Sequence, residues 1–565
     1  MKRTLLAISL IVLPAVFSGC RLIARLPFYV EANEPLPKGA APYEVRREQP
    51  YPPSLIDPAL EERTGLDRSM RQVPGLGTVG SVTGLGKILR PKDVAAENRE
   101  KIERALGRPI RKGKEKTNPL HADPFPDVDV VLALSGGGMR AANLSSAVML
   151  ELSKVKLPAR NGRQVTLLDA VDTISSVSGG GFAAAFYLYH RPVFQGNTDP
   201  SRAELHADLL QVAMRENIQR RLLDAVLIPT KVSFYIRGTT RATRTNLYSN
   251  LIEYRLVRPQ RIESLEATLY PRWWRKRTIL SAVGSFLGDF FWIMAPMTPD
   301  DQYLFGAKAR TFDDLYLRAP EDPSLLYPLR PEWIPNSTDY NAPVTENQFL
   351  FESDTFNQLG SDWLNFRVSD ATAASAAFPV MFTPMTLRDW GAEKPSWQFL
   401  FDGGVSDNQG MNGIQWVLQR QPPGRKTVVI MVDASPKSGA LPGRSTSRPG
   451  GMAITNRAME RYMNPVREDT IKELRQREKG GNLRFFHMSL RPDEFGSQLS
   501  GVDADAFDTA NGAPTALSIS RENQNSLFEV GRVLVARDRE AMLEALLPKK
   551  APAPVPPPSP ETSAP

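Results

Sequence analysis

Cysteine occurs once in these 565 residues, at Cys20, so no disulfide can form within the chain. Histidine is nearly as scarce: His121, His190, His206 and His487 are all there is, which leaves few groups for chemistry that needs an imidazole. No cluster of His, Cys, Asp and Glu with metal-ligand spacing stands out, and neither a metal nor another cofactor is expected. The Gly-Lys-Ser/Thr of a phosphate loop is missing, as is a complete dinucleotide fingerprint, and this argues against a nucleotide-binding protein. A spanning helix is also lacking. The apolar run Leu5–Phe17 is too short, and the most apolar later stretch, RWWRKRTILSAVGSFLGDFFWIMAPM, is broken by Asp289 and several glycines. The formal charge of +8 is spread too thinly to mark a nucleic-acid surface, but it favours anionic lipid.

What is present is organised around residues 128–189, where two strand–glycine-turn–helix units follow one another. The first reads VDVVLAL, SGGGMR, AANLSSAVMLELSKV: a β-branched strand, three glycines, then apolar residues at helical spacing. Gly136, Gly137 and Gly138 leave backbone N–H groups uncovered just ahead of a helix N-terminus, an arrangement suited to an anion. The second unit reads VDTISSV, SGGG, FAAAFYLYH and puts Ser178 where a buried strand turns sharply into a helix. That is the setting of a nucleophile elbow, although Ser176 stands where G-x-S-x-G has its first glycine. A plain buried Ser/Gly turn is the alternative.

A third element lies 224 residues beyond Ser178, in WQFLFDGGVSDNQGMNGIQWVLQR, where Asp402 ends an apolar strand before two glycines. Acids at strand ends beside glycine turns face the open crevice of α/β enzymes, yet Asp-Gly-Gly is also an ordinary turn. Asp433, at the end of KTVVIMVDAS, is a rival acid without a glycine pair after it. Strands alternate with helices such as MNGIQWVLQRQ and RAMERYMNPVREDTIKELRQRE, which argues for an open, mainly parallel sheet covered on both faces.

Taken in order, SGGGMR, SVSGG and DGGVSDNQG resemble the glycine loop, serine elbow and Asp-Gly-Gly/Ala of the patatin-like phospholipase family, and SGGGMRAA is most similar to its cytosolic phospholipase branch. The resemblance runs over roughly residues 125–540 and takes in SDATAASAAFPVMF and APTALSIS; Ser176 and Ala141 depart from its glycine pattern. It implies a three-layer α/β/α fold and a serine acyl hydrolase of lipid esters with a Ser178–Asp402 dyad and an oxyanion hole at Gly136, Gly137 and Gly138. A dyad also fits the histidine shortage: His487, the one histidine after the acid, sits in the apolar strand LRFFHMSL and reads as a buried neutral core residue. Arg140 would brace the loop or bind a lipid phosphate. The competing reading is a lipid-binding or scaffolding module that keeps the fold without the chemistry.

The flanks point to the cell envelope. Lys2 and Arg3, the apolar run, then Ser18-Gly19-Cys20 resemble a bacterial lipoprotein signal over residues 1–19, with Cys20 acylated as the anchor. Loss of that signal would take the formal charge from +8 to +6, and Arg21 after the cysteine resembles outer-membrane sorting. Residues 20–124, rich in Pro, Gly and charge, are expected to form a tether with short helices including DVAAENREKIERALG. The catalytic domain is expected over 125–548, with an insertion at about 225–345 and a disordered Pro/Ala-rich tail over 549–565. Within the insertion, Trp273 and Trp274 beside Arg and Lys, leading the 273–297 apolar stretch, suit a membrane interface or a lid; a buried helix pair is the other reading.

Overall fold

The computed structural model describes residues 31–47, 91–106, 125–157, 165–194, 207, 210–215, 244–257, 309–329, 331–343, 346–379, 381–436, 451–491 and 502–547. Residues 1–30, including the signal and Cys20, the 273–297 stretch with Trp273 and Trp274, and the 549–565 tail lie outside them. No helix among the described residues is long and apolar enough to cross a membrane.

The strands, in chain order, are β1 (Glu44–Val45), β2 (Val128–Leu134), β3 (Thr173–Val177), β4 (Tyr316–Arg318), β5 (Leu325–Pro328), β6 (Glu332–Asp339), β7 (Gln348–Leu350), β8 (Met385–Asp389), β9 (Ser396–Asp402), β10 (Lys426–Asp433) and β11 (Leu483–Ser489). The helices used below are α1 (Pro91–Leu106), α2 (Gly138–Leu152), α3 (Gly179–Tyr189), α4 (Arg244–Ile252), α5 (Val368–Ser375), α6 (Met411–Arg420), α7 (Gly451–Lys479), α8 (Val502–Asn511) and α9 (Arg521–Leu546).

An eight-stranded sheet in the order β11-β10-β2-β3-β6-β9-β8, with β7 also on β6, forms the middle layer. From β11 to β6 every pairing is parallel, while β6–β9, β8–β9 and β6–β7 are antiparallel. Strands covered on both faces read as near-continuous apolar runs, as VDVVLAL and KTVVIMVD do. Successive side chains then enter separate cores. Val130, Leu132, Leu134, Val428, Ile430 and Val432 face a core shared with α2, α3 and α9. Val131, Ala133, Val429 and Met431 face one shared with Ile414 and Trp416 of α6 and Leu474 of α7. The result is a three-layer α/β/α sandwich with a mainly parallel sheet.

Two boundaries differ from the sequence expectation. β6, within the expected insertion, is a central strand of the sheet, wholly buried between β3 and β9. Its sequence EWIPNSTD, with Pro335 and four polar residues after the tryptophan and isoleucine, carries no strand-like alternation, and its burial comes from its neighbours. The expected tether also packs in part. β1 adds a parallel strand to β5 in a small second sheet, and Arg47 forks onto the Glu332 carboxylate with contacts of 2.7 and 2.9 Å. Asn33 donates to Ser361 Oγ at 3.0 Å, Tyr43 donates to Asp362 at 2.8 Å, and α1 docks through Ile102 and a Lys101–Asp313 ion pair. Hydrogen bonds and ion pairs to the main sheet layer join a few apolar contacts, such as those of Ile102, in holding these stretches.

Candidate active site

Ser178 is the only non-glycine residue with positive φ among those described, at φ 48° and ψ −117°. Such a backbone costs an L-residue about 1–3 kcal/mol and persists where surrounding structure imposes it. Here β3 ends at Val177 and α3 begins at Gly179, so the strained residue is the bend itself, and its side chain leaves the sheet while α3 points its N-terminus at the same place. The neighbour on that bend has no choice of residue: a Cβ on Gly179 would lie 1.9 Å from the Gly138 carbonyl oxygen. The glycine loop therefore rests directly on the elbow.

Ser178 Oγ donates to Asp402 Oδ2 at 2.9 Å, across 224 residues of chain. The sheet register explains how they meet. Val177 is level with Asn336 on β6, and Asp402 pairs with Ser337, the next residue on β6. β9 runs antiparallel to β6, so the acid reaches the level of the nucleophile from the opposite direction. The sequence puts Asp402 at a strand end, and the structure supplies one on a strand of reversed sense. Thr338 Oγ1 donates to the Asp402 carbonyl at 2.9 Å, the Asp402 N–H bonds the Ala377 carbonyl at 3.2 Å, and Gly404 N–H donates to Asp402 Oδ1 at 2.8 Å. Burial pushes the Asp402 carboxyl up to about 6, with the Gly404 and Ser178 donors opposing the rise.

The loop supplies fewer donors than its three glycines imply. Gly136 N–H is occupied by the Asn408 carbonyl at 2.9 Å, which removes it from an oxyanion hole. The N–H groups of Gly137 and Gly138 bond no acceptor among the described residues, and they stand at the N-terminus of α2. Met139 N–H behind them is held by the Ala516 carbonyl at 2.8 Å, which gives the APTALSIS segment its place. Arg140 is buried and spans the loop, donating to the carbonyls of Ala434 at 2.8 Å and Ala513 at 2.8 Å. Of its two expected roles, these contacts are those of a brace.

Both departures from the glycine pattern have local reasons. Ser176 Oγ accepts the buried Trp333 indole N–H at 2.9 Å, a bond glycine could not make. Ala141 is fully buried inside α2, where its methyl group packs in the core.

The rivals are engaged elsewhere. Asp433 is fully buried with Arg467 Nε at 2.5 Å and His487 Nε2 at 3.1 Å on the same carboxylate oxygen. Burial alone would raise that carboxyl, but His487 and Arg467 hold it far below the usual range. His487 thus stacks on Phe485 with centroids 5.7 Å apart, as its apolar strand implies, and pairs with a carboxylate as well. Three residues of the site are not singled out by the sequence, although Ser375 lies in SDATAASAAFPVMF and Asn408 in DGGVSDNQG. Ser375, at the end of α5, accepts Ser178 N–H at 2.9 Å and donates to the Asn336 carbonyl at 2.6 Å. Asn408 lies over Gly136 and Gly404, and its side-chain oxygen would meet a Cβ on either at 2.3 and 2.7 Å. Thr338 is the third, and all three are joined to the dyad only by the fold.

Solved structures of human GIVD cytosolic phospholipase A2 are similar to this chain. One is in complex with methyl gamma-linolenyl fluorophosphonate and terbium chloride, at 14% identity and TM-score 0.34, and one is without inhibitor, at 13% and 0.35. Each similarity covers 79% of this chain and 62% of the human one, so the chain spans under two thirds of their length. No curated protein sequence matches it. The family model of patatin-like phospholipase matches residues 132–412, the span that carries the glycine loop, Ser178 and Asp402, and through that span the chain belongs to the patatin-like phospholipase family.

Proposed function

We propose that this chain is a serine acyl hydrolase of lipid esters working through a Ser178–Asp402 dyad. The observation that carries the reading is the 2.9 Å bond from Ser178 Oγ to Asp402 Oδ2, both of them buried. The Asp402 carboxylate takes the hydroxyl proton as Ser178 Oγ attacks the ester carbonyl, and the developing oxyanion lies on the Gly137 and Gly138 amides. Asp402, now neutral, returns the proton to the departing alkoxy oxygen. Water then enters, Asp402 takes one of its protons, and the hydroxide oxygen attacks the acyl-enzyme; the fatty acid leaves and Ser178 regains its hydrogen. A carboxyl titrating near 6 is a stronger base than an ordinary aspartate while remaining ionised at neutral pH.

The same reading places the enzyme on a membrane of the bacterial envelope, the outer membrane by its sorting residue, anchored by an acylated Cys20, with Trp273 and Trp274 at the lipid interface. Support comes from the residue order of the N-terminus and from the basic excess over the chain. Liposome partitioning of unacylated protein tests the tryptophans: Trp273→Ala with Trp274→Ala should weaken binding, and unchanged partitioning removes that contact.

Labelling with a fluorophosphonate tests the chemistry. Wild-type protein should label and release fatty acid from phospholipid vesicles, and Ser178→Ala should lose both, with turnover falling by about 10⁴-fold or more. Absence of labelling in the wild type would make the chain a non-catalytic module of the same fold.

A further inference from the structure

Helix α4 belongs to the long segment between nucleophile and acid, and it is fixed against the floor of the site. Thr245 Oγ1 donates to the Thr383 carbonyl, Ser249 Oγ donates to Ser369 Oγ at 3.1 Å, and Arg367 donates to Asn250 Oδ1 at 2.9 Å. These contacts tie α4 to α5 and to the stretch after it, the same elements that carry Ser375 under Ser178.

Tyr248 sits between those pins and is fully buried. Its ring stacks on Phe382, with centroids 4.5 Å apart and planes 11° apart, and meets Phe182 edge-on at 6.0 Å. Phe182 is on the elbow helix four residues after Ser178, and Phe382 lies on the path from Ser375 to Asp402, so the ring is held between the approaches of both reacting groups. Among the described residues its hydroxyl has no hydrogen-bond partner. Burial first, and the Asp402 carboxylate second, hold the phenol well above its usual range. Tyr248 is therefore a fixed neutral donor, near the acid, whose O–H none of the described residues accepts. Phenylalanine would fill the same space without burying an unpaired hydroxyl, which costs stability. The unused donor points to an acceptor that arrives from outside.

We propose that Tyr248 is a substrate-binding catalytic residue whose O–H donates to the alkoxy oxygen of the bound lipid ester, while Phe182 and Phe382 flank the adjoining carbons. The carbonyl oxygen has the Gly137 and Gly138 amides. The alkoxy oxygen has no donor until Asp402 is protonated, and it gains negative charge as the carbon–oxygen bond breaks. Donation from Tyr248 stabilises that charge; the proton that is finally transferred still comes from Asp402, and the phenol keeps its own.

The inference rests on the proposed hydrolase reading, and the experiment separates the two. Purified wild type, Tyr248→Phe and Ser178→Ala are compared on a glyceryl ester and on a p-nitrophenyl ester of the same fatty acid, with fluorophosphonate labelling and thermal melting of each. A nitrophenolate leaves readily and needs little help. Tyr248→Phe should lose about 10–100-fold in kcat/KM on the glyceryl ester and under threefold on the nitrophenyl ester, with an unchanged or higher Tm and full labelling. An equal fall on both esters, or rates within twofold of wild type on both, overturns the role of Tyr248 while leaving the dyad in place. A wild type that neither labels nor turns over either ester removes the hydrolase reading and the inference with it.

Discussion

Asp402 and Asp433 end strands of one sheet, and both are buried, yet their carboxyls are driven in opposite directions. Asp402 meets only neutral donors, the Gly404 N–H and the Ser178 O–H, and burial wins: its carboxyl rises to about 6. Asp433 meets Arg467 and His487, and they outweigh burial and pull it far down. A carboxylate paired with a buried arginine is a fixture of the fold, because taking a proton would cost it that ion pair. One compensated by neutral hydrogen bonds can gain and lose a proton at near-neutral pH. Proximity to histidine is therefore no guide to catalysis here. On the proposed reading, the acid with the imidazole is the structural one.

The largest effect expected on this contrast is from Asp402→Asn, which keeps an oxygen for Gly404 N–H but cannot accept a proton. Hydrolysis should fall about 10⁴-fold. Stability should move the other way. Because the folded carboxyl titrates above its unfolded value, the native state binds more protons between about pH 4 and 6, and stability falls as pH rises through that window. Asp402→Asn should thus be more stable than wild type at pH 7–8, by up to about 2–3 kcal/mol, with the gain vanishing near pH 4. Urea denaturation at the two pH values measures it, and an equal difference at both would contradict the assigned titration.

Asp433→Asn is the converse. It takes the Asp433 charge away from the buried Arg467, and the expected loss is about 3–5 kcal/mol by urea denaturation. Turnover per labelled Ser178 should stay within about threefold. A smaller and sharper test is the acid limb of kcat/KM. In wild type it should fall tenfold per pH unit below about pH 6, as Asp402 becomes protonated, and Asp433→Asn should leave that midpoint in place. A midpoint that moves with Asp433 would join the two carboxyls into one system.

The glycine loop, the elbow and the Asp-Gly-Gly turn were legible because each is a local demand of the backbone. Gly179 is required by a carbonyl 1.9 Å from where its Cβ would be, and such demands leave a mark on the residue type. β6 left none: EWIPNSTD is buried by the strands beside it and not by its own pattern, so the strand between nucleophile and acid went unread. The reversed sense of β9, the Ser375 prop and the Tyr248 hydroxyl share that cause, being set by chain far away in sequence. Residues 31–47 misled for the opposite reason. Their proline and charge suggested a free tether, but Asn33, Tyr43 and Arg47 each find a fixed polar partner on the catalytic layer.

The smallest expected effect bears most directly on the contrast. His487 lies 3.1 Å from Asp433, and an Asp–His pair invites the reading of a displaced triad. Against it, the Ser178 hydrogen is already given to Asp402, and Asp433 lies on β10, with β2 between it and β3 and the whole of β3 and β6 between it and β9. Glutamine places an amide N–H near the position of the imidazole Nε2, so His487→Gln keeps a donor to Asp433 while removing any group that could relay a proton. The loss of stability should be about 1 kcal/mol, with Arg467 still neutralising the carboxylate. The rate on lipid ester and the pH midpoint near 6 should both match wild type within twofold. A 100-fold loss of turnover in a variant that melts normally would put the imidazole in the reaction and take the base assignment away from Asp402.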